Sequence, residues 1–146
     1  MEPEAVTTPV ITSQYPLRVP ADPTAPQVAR IKGRTALTML SWPGSHLDAV
    51  EVLGVLVTNA LEHGITPGDT KELHACLSVT ETRELLIDVT DHNPMFRDFE
   101  RAIAGEVGQG LWRAGQLGAS ISQYTAPDFS SKTVRAVMRP LRRIDP

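Results

Sequence analysis

Residues 51–64, EVLGVLVTNALEHG, set the reading of the rest of the chain. Val52, Leu53, Leu56, Val57, Ala60 and Leu61 recur at intervals of three and four, which predicts a helix with one buried apolar stripe. Asn59 interrupts that stripe, and an unpaired carboxamide in apolar surroundings costs about 1–3 kcal/mol. His63 lies one turn further on, so the two polar side chains share a face. Gly64 supplies the residue that ends the helix. Two readings follow: a core helix with a structurally satisfied Asn and a solvent-side His, or a helix that presents both groups to a ligand.

Composition narrows the classes of function. With 146 residues, 41% of them hydrophobic, the chain suits one soluble domain with a substantial core. A net charge of -3 argues against electrostatically driven binding of nucleic acid, and 5% aromatic content against base stacking. No apolar run reaches the roughly 20 residues that span a bilayer, and no secretory signal opens the chain. The protein is expected to be cytoplasmic, without a membrane partner. The single cysteine, Cys76, excludes an internal disulfide and a cysteine-based zinc cluster. Its expected role is packing.

Along the chain, residues 1–13 are rich in Pro, Thr and Glu without periodicity and are expected to be a disordered tail. Tyr15 to Val19 reads as a first strand. Pro20, Pro23 and Pro26 stiffen the connection to a helix from about Gln27 to Leu40, with Asp22 or Thr24 as its cap. A loop over 41–45 precedes the central helix, Leu47 to His63, and the breakers from Gly64 to Asp69 close it. Strands follow at 72–80 and 84–90, with Leu85, Ile87 and Val89 on one face. Asp91 continues that series, so its carboxylate should emerge on the face that meets the helices. Phe96 to Ile103 is a short helix in a connecting segment. Gly108 and Gly110 precede a further helix, LWRAGQLGA, where they serve either the backbone turn alone or the approach of a phosphate to exposed N–H groups. Strands at 119–124 and 132–138 complete a domain over 14–140, followed by a charged tail over 141–146. Grouped strands with helices to one side predict an α+β fold, a two-layer α/β sandwich with a mixed, mostly antiparallel sheet and helices on one face.

Four segments in this order, VLVTNALEHG, LLIDVTDHNP, GQGLWRAGQLGA and SSKTVRAVM, resemble the GHKL (Bergerat-type) ATP-binding fold of histidine kinases, Hsp90-type chaperones and gyrase-type topoisomerases. The nearest subgroup is the anti-sigma-factor serine kinases and their single-domain actinobacterial relatives. The likeness runs from about Tyr15 to Met138. It implies ATP and Mg²⁺ as cofactors, with Asn59 as the metal ligand and Asp91 as acceptor for the adenine amino group. Gly108 and Gly110 would end an ATP lid and let backbone N–H groups approach the phosphates. His63 and Leu111 are counted with them in the nucleotide site, and Thr133 would support the adenine pocket. Period-two parity, however, sets Thr133 with Arg135, opposite Val134, Ala136 and Met138. The implied partner is a protein: a sigma factor, an anti-anti-sigma factor or a DNA-binding regulator, with a homodimer possible and no direct contact to nucleic acid.

The chain also departs from the pattern. The family places a general-base Glu four residues before the metal-binding Asn, and here that position is Val55. Loss of a positioned base typically removes about 10²- to 10⁴-fold in rate. Glu51 lies one turn further away, about 6 Å along the axis, and Glu62 should turn aside. His92, Asn93 and Pro94 stand where the family has glycines after the Asp. Three functions remain in view: a non-catalytic, nucleotide-gated binding module, which the surviving motif residues favour; an active serine/threonine kinase acting on an antagonist protein; and a nucleotide-free interaction module.

Overall fold

The computed structural model describes residues 9–63, 72–93, 99–105 and 110–140. Its sheet has five strands: β1 (Ile11–Pro20), β2 (Glu72–Thr80), β3 (Leu85–Asp91), β4 (Ser120–Thr125) and β5 (Lys132–Met138), in the spatial order β1-β2-β3-β5-β4. Every neighbouring pair is antiparallel, so the mixed component expected from sequence is absent. The reason is topological. β4 runs in the same direction as β3, but β5 lies between them and pairs with both.

Four helices accompany the sheet: α1 (Ala25–Leu40), α2 (His46–His63), α3 (Phe99–Ile103) and α4 (Gly110–Gln116). The inward series of the strands, including Leu17, Val19, Leu73, Leu77, Leu85, Ile87, Val89, Val134 and Ala136, joins Leu37 of α1 and Val52, Leu53, Leu56 and Val57 of α2 in one core. Each fully buried side chain of this size stabilises the fold by about 1.5–3 kcal/mol relative to exposure. The α+β sandwich with helices on one face is therefore as the periodicity implies.

Gly33 sets how closely the two long helices approach. A Cβ at that position would stand 2.8 Å from Leu53 Cδ2, a distance that real Cβ atoms essentially never show. A glycine in the middle of α1 is thus the seat of the helix crossing. Trp42 is 3% exposed, and its indole Nε1 donates to Arg83 O at 2.9 Å, tying the loop between α1 and α2 to the turn between β2 and β3. Trp42 thus packs in the core. Trp112 is 41% exposed.

Two boundaries differ from the sequence reading. β1 starts at Ile11, so residues 11–13 belong to the sheet: Ile11 pairs with Thr80, and Thr12 Oγ1 donates to Val79 O at 3.0 Å. A register shift between Ile11 and Ser13 broke the alternation that would have revealed the strand. At the start of α1, neither Asp22 nor Thr24 caps a helical N–H with its side chain. Asp22 Oδ1 instead accepts the Thr24 N–H at 2.8 Å and closes a turn ahead of the helix. Among the described residues, no helix is long and apolar enough to cross a membrane.

Candidate functional site

The residues expected at the site from sequence lie on α2, β3, β5 and the first turn of α4, and α2 packs against each of the other three elements. On α2, Val55 and Asn59 lie one turn apart and are both half-buried. The start of α4 sits against them: a Cβ added at Gly110 would be 3.5 Å from Val55 Cγ1, and Leu111 is buried at 3% exposure. Among the described residues no hydrogen bond engages the Asn59 carboxamide. Gly108 falls outside the described residues, as does Gly64.

Among the described residues, no carboxylate is seen to replace the base missing at Val55. Glu51, the acid one turn back, lies 3.4 Å from Arg30 Nε and 4.0 Å from Arg113 Nη2. Arg30 reaches it by lying across Gly54, where an added Cβ would come within 2.8–2.9 Å of guanidinium atoms. Glu51 is thus engaged by the two arginines, one turn away from Val55. Glu62 pairs with the His63 ring at 3.6 Å on the exposed surface. His63 enters the site through its backbone: its carbonyl accepts from Asn93 Nδ2 at 2.8 Å, which joins the end of α2 to the segment after β3.

Asp91 stands where strand parity puts it, on the core face at the end of β3, with 1% of its side chain exposed. It is not alone there. Lys132, directly opposite on β5, has a side chain that is 0% exposed, and its Nζ lies 3.1 Å from Asp91 Oδ1 and 3.0 Å from Oδ2. The same ammonium donates to Asn93 O at 2.9 Å, while the Asn93 N–H donates to Asp91 Oδ1 at 2.9 Å. Burial raises the Asp91 carboxyl above the usual carboxylate range, against the opposing pull of the Lys132 and Asn93 donors.

Thr133 is not the neighbour of Asp91 that the resemblance implies. Its hydroxyl is 2.8 Å from that of Thr90 on the opposite face of the sheet, in line with the Asp88–Arg135 ion pair. Period-two alternation forbids successive residues from sharing a face, so with Lys132 inside, Thr133 must be outside. Lys132 is the residue that the sequence reading passed over. The signal was present, since Lys132 continues the inward series Met138, Ala136, Val134 by one step, yet a lysine at a strand start reads as solvated.

The donor set fits ATP and Mg²⁺ in part. Asn59, half-buried and without a hydrogen bond to its carboxamide among the described residues, suits a metal ligand. Asp91 does not suit an adenine amino group, because the oxygens that would accept it already bind Lys132 and Asn93. A separate surface recess of about 280 Å³, lined by Trp42, Asp48, Glu84, Leu117 and Arg139 among others, opens near the start of α2, the full length of that helix from His63.

The five-stranded antiparallel sheet with helices on one face is an α+β arrangement that has a counterpart among solved structures. A solved structure with this arrangement is the crystal structure of the RsbU and RsbW domains of Rv1364c from Mycobacterium tuberculosis, with a TM-score of 0.61 and 20% sequence identity. The match covers 92% of this chain and 35% of that one, so the chain spans about a third of the protein it resembles. No family model and no curated protein matches the sequence.

Proposed function

We propose that the protein is a regulator of the anti-sigma-factor type that works by holding a protein partner and does not transfer phosphate. The observation that carries this reading is Val55 at the general-base position, packed beneath Gly110, with the nearest alternative acid, Glu51, paired to Arg30 and Arg113. An aliphatic side chain there leaves the attacking hydroxyl or water without a proton acceptor. The partner that fits the fold is a sigma factor, an anti-anti-sigma factor or a DNA-binding regulator, met in the cytoplasm, and the regulator itself is compatible with a homodimer. Direct binding of nucleic acid is disfavoured by the net charge of -3. Incubation of the purified chain with candidate partners and labelled ATP tests this: a stable complex without labelled partner is expected, and phosphoserine or phosphothreonine on the partner would overturn the reading.

One observation favours a second reading, in which nucleotide gates the partner. The Asn59 carboxamide makes no hydrogen bond among the described residues, as suits a group kept for Mg²⁺. In that reading ATP supplies the charged phosphates that Mg²⁺ and the N–H groups around Gly110 would hold. Control of the partner then requires only that nucleotide bind two states of the chain unequally. A partner affinity that is the same with and without Mg²⁺ and ATP would remove this reading and leave the first standing.

A further inference from the structure

The Asp91–Lys132 pair bears on which ligand this pocket accepts. A carboxylate offers about four lone-pair positions. Oδ1 of Asp91 takes the Lys132 ammonium and the Asn93 N–H, and Oδ2 takes the ammonium again. Three of those positions are taken, and with 1% of the aspartate side chain exposed and none of the lysine, the remaining Oδ2 position is closed to solvent. The lysine stem runs inward from β5 beside Val134 and Ala136, on the face of the sheet that packs against α2. An amino group brought to this place would meet an ammonium, donor against donor, and would remain unpaired.

We infer that Lys132 takes the place at Asp91 that an adenine amino group would need, so that the chain as it stands excludes adenine nucleotides and its partner binding is independent of them. The inference rests on the reading of the chain as a GHKL-type regulator. It adds a specificity-determining residue to those implied by the resemblance. It also accounts for Asp91 being present without a ligand to serve: the carboxylate is retained as the counter-charge of an internal cation. The alternative is that the pair only fastens β3 to β5, in which case its removal would weaken the fold without opening the pocket to nucleotide.

Calorimetric titration of the full chain with ATP and Mg²⁺ separates the two. The wild type and Lys132→Arg, which keeps a buried cation, are expected to give no saturable binding at millimolar ATP. Lys132→Thr should gain roughly a hundred-fold or more in affinity, the scale set by pairing one buried donor that is otherwise unpaired. ATP should be preferred to GTP, and adding Asp91→Asn should abolish the gain. Because Lys132→Thr leaves a buried carboxylate and will be less stable, its melting temperature is followed in parallel as ATP is raised; an increase absent from the wild type is expected. Saturable, Asp91-dependent ATP binding by the wild type overturns the inference, as does a Lys132→Thr chain whose affinity and melting are both unmoved by ATP. Nucleotide binding without phosphate transfer would sink this inference and leave the non-catalytic reading intact. Failure to hold any partner in a chain that takes no ATP would do the reverse.

Discussion

Lys132→Met is the most informative single perturbation of the fold. It keeps a buried unbranched stem and deletes the ammonium, leaving the Asp91 carboxylate 1% exposed with the Asn93 N–H as its remaining named donor. Breaking a buried ion pair from one side costs about 3–5 kcal/mol. At about 2–4 °C per kcal/mol for a domain of this size, melting should fall by roughly 6–20 °C. Asp91→Leu strands the ammonium instead and should cost a similar amount. The double variant removes both charges and replaces them with apolar volume, an exchange that is often neutral or stabilising by about 1–4 kcal/mol. Asn93 then loses a partner for its N–H and one for its carbonyl, at about 1 kcal/mol each, so the double variant should lie within about 2 kcal/mol of wild type. Urea unfolding of the four proteins, with slopes compared to confirm two-state behaviour, gives the coupling directly. Single-variant costs below about 1 kcal/mol, or a double variant equal to the sum of the singles, would show that the pair is neither buried nor coupled as described.

Three further outcomes follow from the same geometry. Val55→Glu alone should leave phosphate release from ATP at background, whereas Val55→Glu with Lys132→Thr should exceed Lys132→Thr by about 10²- to 10⁴-fold; turnover by Val55→Glu alone would contradict a closed adenine recess. Gly33→Ala should destabilise by about 1–3 kcal/mol, because its Cβ meets the packed Leu53 side chain, while Gly54→Ala should stay within about 1 kcal/mol of neutral, because the Arg30 tip can swing aside. Thermal melts would show the two substitutions to be equivalent if the helix crossing does not depend on Gly33. Because the Asp91 carboxyl is raised, the folded state binds more protons than the unfolded state between the two pKa values, so its contribution is full below the ordinary carboxylate value and is lost as pH rises through the raised one. Asp91→Asn should remove that decline from the pH dependence of urea midpoints, and an unchanged slope would refute it.

The layers of the fold were legible because they rest on periodicity. The three-and-four spacing of α2 and the strict alternation of β3 each bury one face, and burial is what fixes both elements. The start of β1 was not legible, because an irregular register at Ile11 and Ser13 erased the alternation, and a proline-rich neighbourhood argued for a tail. For the candidate site, motif order proposed Asn59, Asp91, Gly110 and Leu111, and parity already objected to Thr133. Lys132 escaped notice for an energetic reason. A lysine is assigned to solvent unless a buried counter-charge is known, and the counter-charge was 41 residues away on a strand whose register no local pattern specifies.

The strand order carries a consequence for the time course of folding. β5 follows every other strand in sequence but lies inside the sheet, between β3 and β4. The β2–β3 hairpin needs only the short turn after Thr80, whereas the β3–β5 pairing has to close the whole segment from Asp91 to Lys132. Long closures are penalised mainly in rate, since their entropy grows only slowly with length while non-local pairing delays folding. During synthesis the β2–β3 hairpin and α2 emerge well before Lys132. Until Lys132 leaves the ribosome, the inner edge of β3 stays unpaired and Asp91 faces water. The cation beside Asp91 thus opens the strand that completes the sheet, and the interval before that strand arrives is when the nascent chain is most open to aggregation through that edge.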